Sequence, residues 1–116
     1  MSITLYGIKN CDTVKKARKW LDQHQVNYVF VDHRADGLDP DSLHHWLEEL
    51  GWEQLVNKRS TTYRALSESE KANLGPNTAY ALLKANPTLI KRPLLDNQGE
   101  LSVGFKAEQY AALFKQ

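Results

Sequence analysis

The sequence predicts an α/β fold in which a β-α-β unit and a β-β-α unit flank a helical insertion. Three observations support this prediction. Apolar residues alternate near the N-terminus, recur at helical spacing through the middle, and return to short strand-like runs before a final amphipathic segment. With 116 residues, of which 41% are hydrophobic and 25% charged, the chain is expected to form one domain, residues 1–116.

The β-α-β unit is predicted from the first part of the chain. Residues 2–6 alternate as in a half-buried strand. The next segment carries Val14, Ala17 and Leu21 at the spacing of one helix face. Residues 28–31 are β-branched and aromatic, which favours a second strand. Strand, helix and strand within about 30 residues form a unit of the size that joins parallel strands.

The helical insertion, at about residues 39–87, carries helix start and stop signals. Asp39 is followed by proline, which is typical of a capped helix start. Ser67 and Glu70 have the spacing of a capping box. A further helix is expected at about residues 77–86, because a proline follows it.

The C-terminal part predicts two strands and a helix. "PLL" and "ELSVGF" are strand-like and flank "DNQG", whose residue types favour a hairpin connection. "KAEQYAALFKQ" then has apolar residues at helical spacing.

Composition excludes several classes of function. The net charge of +1 gives no strong field for nucleic acid or an acidic membrane, so neither is expected as a partner. The longest apolar runs have five residues, against the roughly 20 that a membrane helix needs. The first residues lack the pattern of a secretory leader, and a single cysteine cannot form an intramolecular disulfide. We therefore expect a cytoplasmic protein.

The single cysteine, Cys11, is the candidate catalytic residue. It lies between the first predicted strand and helix, where unpaired N–H groups and the helix dipole favour a thiolate. Lys9, Lys15 and Lys16 act in the same direction, whereas Asp12 opposes them. The structural alternative is that Cys11 is a small buried apolar residue, as free cysteines commonly are.

A lone thiol restricts the chemistry that is open to this site. Zinc is not expected, because there is no second cysteine and His44 and His45 are adjacent rather than spaced as ligands. A "CxxC" pair resolves its own mixed disulfide, but here the fourth position is Val14. An external thiol must therefore resolve it, and glutathione is the obvious co-substrate. Because glutathione carries carboxylates, arginines are expected near Cys11.

Several segments together resemble a known family. "LYGIKNCDTVKKARKWL", "VNKRSTTYRAL", "IKRPLL" and the later "VGF" resemble the arsenate reductase (ArsC)/Spx-like family, and within it the YffB-type branch. The resemblance covers essentially the whole chain. It implies a thioredoxin-like fold with a four-stranded mixed sheet and extra helices between the second and third strands.

The resemblance also implies roles for individual residues. Cys11 corresponds to the nucleophile, Arg92 to an anion ligand, and Pro93 to a cis proline beside the thiolate. A second anion-binding arginine of arsenate reductases corresponds to Arg59 or, in a strict alignment, to Asn57. The third would fall where this chain has glycine, phenylalanine and lysine at positions 104–106, so that anion site is incomplete.

The predicted substrate site combines both arguments. It consists of the nucleophile Cys11 and the glutathione-binding residues Lys9, Asn10, Arg59, Arg92 and Pro93. The structural alternatives stay open: Arg59, with Lys58 and Arg64, is also compatible with a solvated surface, and Arg92 with a structural role.

Three functions remain. The first is a glutathione-dependent thiol–disulfide oxidoreductase, with a glutaredoxin or a disulfide-containing protein as further partner. The second is arsenate reduction, against which the missing third arginine counts. The third is a non-catalytic regulator that binds a protein partner, like the Spx-type regulators; those usually carry a "CxxC" switch that this chain lacks.

Overall fold

The structure is a computed structural model that describes residues 3–114. Its elements follow the predicted order: β1 (Ile3–Gly7), α1 (Asp12–Gln23), β2 (Val29–Asp32), α2 (Pro40–Leu50), α3 (Trp52–Leu55), α4 (Thr61–Arg64), α5 (Glu68–Asn73), α6 (Ala79–Ala85), a 3₁₀ helix (Pro87–Leu89), β3 (Leu94–Asn97), β4 (Glu100–Val103) and α7 (Ala107–Phe114). Ser2 of the first predicted strand, and Lys115 and Gln116 of the last predicted helix, lie outside the described residues.

The four strands form one mixed sheet in the order β2-β1-β3-β4. β1 pairs with β2 in parallel and with β3 antiparallel, and β3 pairs with β4 antiparallel. In the register, Leu5 faces Phe30 on one side and Leu95 on the other. This arrangement confirms the predicted α/β class and its thioredoxin-like, four-stranded mixed sheet.

The chain divides into two compact units. We call Met1–Ala35 with Arg92–Gln116 the sheet unit, and Asp36–Lys91 the helical unit. The helical unit corresponds to the predicted insertion at about residues 39–87. The assignment of residues 1–116 to a single domain stays a prediction.

The core of the sheet unit joins both of its helices to one face of the sheet. Leu5 and Leu95 are neighbours across β1 and β3 and are fully buried. The predicted stripe of α1 is buried with them, and Trp20 meets Tyr110 of α7 edge-on, with ring centroids 5.6 Å apart. Burial of an aromatic pair in this geometry stabilises the packing of α1 and α7 by about 1 kcal/mol beyond the area that it buries.

The β3–β4 hairpin is tighter than the sequence indicated. Asp96 and Asn97 belong to β3, so that only Gln98 and Gly99 form the turn, with φ of 55° and 97°. Two residues at positive φ match the twist of the flanking strands. The carboxylate of Asp96 accepts the Gly99 N–H at 2.8 Å and closes the turn.

The helical unit begins where its caps predict. The Asp39 carboxylate accepts the Ser42 N–H at 3.1 Å, and Pro40 opens α2. Ser67 and Glu70 form the predicted capping box of α5. The predicted helix at residues 77–86 is shorter and runs over Ala79–Ala85, because Thr78 instead bonds the loop before it.

Short elements of the helical unit were not predicted. The helices α3 and α4 have four residues each, too few for a hydrophobic period to show in the sequence. A single bridge pairs Val56 with Ile90, and both side chains are buried. Within residues 3–114 no helix is long and apolar enough to cross a membrane.

Strand β1 and helix α1 approach each other closely at Gly7. A Cβ atom at Gly7 would lie 2.7 Å from Cγ2 of Val14, which is itself fully buried. Real Cβ contacts are longer than this, and the β-branched valine has little rotamer freedom within a helix. Glycine at position 7 therefore sets how near the first turn of α1 lies to the end of β1.

Gly7→Ala is expected to destabilise the fold by about 1–3 kcal/mol, because the added methyl group overpacks a buried contact. Chemical denaturation of the purified variant measures the loss of unfolding free energy. Val14→Ala removes the clashing methyl groups, so Gly7→Ala should cost less in that background than in the wild type. Equal costs in both backgrounds would contradict the steric explanation.

Candidate functional site

Cys11 stands at the junction of a tight turn and helix α1. Its N–H donates to the Ile8 carbonyl oxygen at 3.3 Å, which closes a turn with Lys9 and Asn10 at its corners. Its own carbonyl oxygen accepts the Lys15 N–H at 3.0 Å and begins the helix. Cys11 is thus the N-cap residue, with extended backbone at φ −99° and ψ 124°.

Cys11 is half-buried and forms no disulfide. Among the described residues its side chain makes no capping hydrogen bond, so the first turn of α1 has N–H groups without an intrahelical partner. Reactive cysteines commonly stand at this position of a helix. Lys9 and Asn10 are exposed beside it, and Lys9 adds positive charge.

Asp32 ties the turn to the end of β2. One carboxylate oxygen accepts the Lys9 N–H at 3.1 Å, and the other accepts the N–H groups of Arg34 and Ala35 at 2.8 and 3.1 Å. Burial alone would raise the pKa of Asp32. The three backbone donors and the charge of Lys9 outweigh burial, so the pKa lies below the usual value of 3.8. Asp32 is therefore a carboxylate at neutral pH.

His33, the residue after Asp32, is also buried. Its backbone N–H donates to the Gly7 carbonyl oxygen at 2.8 Å, and its ring stacks on Tyr6 with centroids 6.3 Å apart. Burial and the positive charge of Arg92 lower the pKa of His33 to about 4, although the Asp32 carboxylate acts in the opposite direction. His33 is therefore neutral at pH 7, and it faces the field of the arginine that the resemblance assigns to anion binding.

Sequence reasoning missed both Asp32 and His33. The available signal was "VFVDH", in which two polar residues end an apolar strand. The parallel pairing of β2 with β1 places Asp32 opposite Gly7, at the same end of the sheet as Cys11. Residues that follow neighbouring parallel strands meet at one edge, which is where sites are commonly built.

The Arg92–Pro93 peptide bond is cis. Because β3 runs antiparallel to β1, with Leu94 opposite Tyr6, this dipeptide reaches the sheet at the edge from which the Cys11 turn leaves. Pro93 is buried, and Nε of Arg92 is also buried. The fold thus brings Lys9, Asn10, Cys11, Arg92 and Pro93 to one edge of the sheet.

The segment that follows β4 leaves at this edge too. The Gly104 N–H donates to the Pro93 carbonyl oxygen at 2.9 Å. Phe105 is partly buried and packs against the core, where its ring meets Tyr110 edge-on with centroids 4.8 Å apart. Lys106 is exposed just before α7. No arginine is available at positions 104–106.

Arg59 lies in the helical unit, in a turn that is organised by Asn57. The Asn57 side chain accepts the Arg59 N–H at 3.0 Å, while the Asn57 N–H donates to the Leu89 carbonyl oxygen at 2.8 Å. Ser60, next in the chain, caps α4. Asn57 thus shapes the turn, and Arg59 is left exposed.

In the described chain, no group of three or more His, Cys, Asp or Glu side chains is placed to hold a metal ion.

Comparison with known proteins gives consistent matches over almost the whole chain. Residues 6–113 match the model of the ArsC family. A Haemophilus influenzae protein named only as uncharacterised is 51% identical over 112 residues, 97% of this chain and 98% of its own. The global transcriptional regulator Spx 2 of Bacillus cereus is more distant, at 28% identity over 92% of this chain and 82% of the regulator.

Solved structures agree with these matches. The structure named YFFB (PA3664) protein has a TM-score of 0.91 and 49% identity, covering 96% of this chain and 97% of its own. An arsenate reductase (ArsC) related protein from Brucella melitensis has a TM-score of 0.79 and 48% identity, covering 100% of this chain and 97% of its own.

The buried His33 makes stability depend on pH in a defined window. Its pKa is about 4 in the folded chain and 6.5 when exposed, so the unfolded state binds the proton first as the pH falls. The unfolding free energy should therefore decrease between pH 6.5 and 4, by about 3 kcal/mol from this group. Asp32 acts only below its usual value of 3.8, outside this window.

Urea denaturation of wild type and His33→Gln at pH 6.5 and pH 4.5 measures this contribution. The wild type should lose more unfolding free energy than the variant between the two pH values, whatever their difference at pH 6.5. The same loss in both proteins would mean that His33 is protonated in the folded state.

Proposed function

This chain belongs to the ArsC family, and from that premise we propose that it is a glutathione-dependent thiol–disulfide oxidoreductase with Cys11 as nucleophile. The ArsC match and the arsenate-reductase-like fold support thiol-based reduction as the class of chemistry. The dependence on glutathione and the mechanism with one cysteine are the finer parts of the proposal.

One observation carries it: the only cysteine of the chain is half-exposed at the N-cap of α1. A partly exposed cysteine at the N-terminus of a helix is suited to act, as its thiolate, as a nucleophile for a disulfide sulfur. Because no second thiol can displace the product, a small external thiol must do so. Glutathione is the abundant thiol of the cytosol, and a cytoplasmic location is accordingly part of the proposal.

The reaction takes two exchanges. First, the Cys11 thiolate attacks the glutathione sulfur of a mixed disulfide, forms a disulfide with glutathione, and releases the substrate thiolate, which takes a proton from water. Second, the thiolate of reduced glutathione attacks the glutathione sulfur of that adduct. Oxidised glutathione leaves, and the Cys11 thiolate is restored. The substrate sulfur is reduced and the thiol of the one incoming glutathione is oxidised, while the other half of oxidised glutathione comes from the mixed disulfide, so the electrons balance.

Charged and polar groups at the sheet edge suit the two carboxylates of glutathione. Lys9 and Asn10 are exposed at the corners of the Cys11 turn. Arg92 enters beside Pro93 with a buried Nε, which restricts how its planar fork can turn. We assign carboxylate binding to Lys9, Asn10 and Arg92, with Pro93 lining the site. The glutathione-binding role predicted for Arg59, which lies in the helical unit, stays a prediction, and a glutaredoxin or a disulfide-containing protein is the proposed partner.

Arsenate reduction is the second candidate. It is favoured by the similarity to the Brucella melitensis protein described as arsenate reductase related. In this reaction the Cys11 thiolate attacks arsenic and displaces water. A glutathione thiol then attacks the Cys11 sulfur, arsenite leaves with the electron pair of the arsenic–sulfur bond, and a second glutathione thiol restores Cys11 and releases oxidised glutathione. The substrate dianion calls for several fixed donors. Positions 104–106 are glycine, phenylalanine and lysine, so Lys106 is their one cation and this site is less complete.

Cys11 is expected to form a single, reversible adduct with glutathione. Intact mass spectrometry after oxidised glutathione should show one added glutathione on the wild type and none on Cys11→Ser, since the reaction needs the thiolate. Reduced glutathione should then remove the adduct. A wild type that takes up no glutathione would rule out the proposed reaction and favour a non-catalytic, partner-binding role.

Arg92→Met is expected to weaken the use of glutathione by about tenfold in KM, because a charged hydrogen bond to a carboxylate is lost. Methionine keeps the length and the apolar part of the side chain. Arg64→Met, on the exposed surface of the helical unit, is the matched control and should not change KM. An equal KM in wild type and Arg92→Met would remove Arg92 from the carboxylate site.

A further inference from the structure

We propose that Asp32 is a positioning residue for Cys11: its carboxylate holds the backbone of Lys9 and thereby fixes the turn that presents the thiol. The inference rests on the proposed role of Cys11 as nucleophile. Asp32 lies at the far end of β2, 23 residues from its hydrogen-bond partner Lys9. The pairing of β1 with β2, rather than closeness in sequence, therefore brings Asp32 to Lys9.

The turn before Cys11 is joined to the end of β2 through the backbone of Lys9. Its own closing bond, from the Cys11 N–H to the Ile8 carbonyl oxygen, is long at 3.3 Å. The Lys9 N–H stands at a corner, where a turn offers it no partner of its own. Asp32 satisfies this N–H at 3.1 Å. One charged acceptor thus anchors the corner that lies two residues before the thiol.

Asp32 is itself held firmly enough to act as an anchor. It is 5% exposed, and its second oxygen is fixed by the N–H groups of Arg34 and Ala35. The next residue, His33, donates its N–H to the Gly7 carbonyl oxygen at 2.8 Å, which ties the end of β2 to the end of β1. A carboxylate with both oxygens bonded to backbone has little freedom to follow movements of the turn.

Positioning and electrostatics make opposite predictions at this site. A buried negative charge disfavours a nearby thiolate. If only this electrostatic effect operated, removing the charge would move the ionisation of Cys11 to lower pH. Removing the anchor lets the turn move and lowers the reaction rate of the thiolate once formed. A profile of reaction rate against pH separates the two effects, because its midpoint reports ionisation and its high-pH plateau reports the intrinsic reactivity of the thiolate.

The test measures this profile for Cys11 with an uncharged dipyridyl disulfide, a probe that does not depend on glutathione binding. Asp32→Asn should lower the plateau rate constant roughly tenfold without raising the midpoint, because a charged hydrogen bond is lost. Asp96→Asn is the matched control. Asp96 also accepts a backbone N–H, that of Gly99 at 2.8 Å, but in the hairpin at the opposite end of β3. The Asp96→Asn variant should keep the plateau rate constant and the midpoint pH of the wild type.

Lys9→Pro provides a second variant in case Asp32→Asn fails to fold. It removes the N–H donor and leaves the carboxylate, at a turn corner that proline favours. Its plateau should fall by a similar factor, and the double variant should fall no further than either single variant. Unchanged plateaus in these variants would overturn the inference, as would a wild-type plateau no faster than that of the unfolded chain. Fast reaction of the wild type with the probe but not with glutathione would instead contradict only the proposed function.

Discussion

The close contact between the end of strand β1 and the first turn of helix α1 is the constraint on which the site depends. Gly7 has no side chain, and Val14 fills the space where one would stand. Four residues separate the end of β1 at Gly7 from the start of α1, and the last of them, Cys11, is the N-cap. A bulkier residue at position 7 would displace α1 and move the thiol with it.

The two strands that pair with β1 bring the other residues of the candidate site to the same end of the sheet. The parallel partner β2 delivers Asp32 and His33, and the antiparallel partner β3 delivers Arg92 and Pro93, to the same edge. Burial of a carboxylate and an imidazole there costs stability, and the cost is offset by backbone N–H donors to Asp32. Shifted pKa values are common at functional sites, and Asp32 and His33, whose pKa values are shifted, lie at the same end of the sheet as the proposed nucleophile.

Local signals were sufficient to predict much of the fold. The caps at Asp39 and Ser67 and the stripe from Val14 to Leu21 depend on residues within one or two helical turns, and all three were confirmed. The four-residue helices α3 and α4 were not predicted, because they are too short for a hydrophobic period to show in the sequence. The mixed sheet itself came from the family resemblance rather than from periodicity.

The candidate site was predictable only where chemistry is visible in the residue type. A lone cysteine before a helix stands out, whereas the link from Asp32 to Lys9 spans 23 residues and appears only when β1 and β2 are paired. The choice between Arg59 and Asn57 shows the same limit. The turn gives Asn57 a backbone role and leaves the Arg59 guanidinium exposed, which spacing alone did not reveal.

The most direct test of the central claim compares turnover of two substrates by the same protein with reduced glutathione. One substrate is a glutathionylated peptide, and the other is arsenate. We expect catalytic release of the peptide thiol, abolished in Cys11→Ser, at a far higher rate than any arsenite formation, since the anion site that the family resemblance implies would lack its third arginine. Arsenite formation without turnover of the peptide, or no turnover of either substrate, would contradict this account.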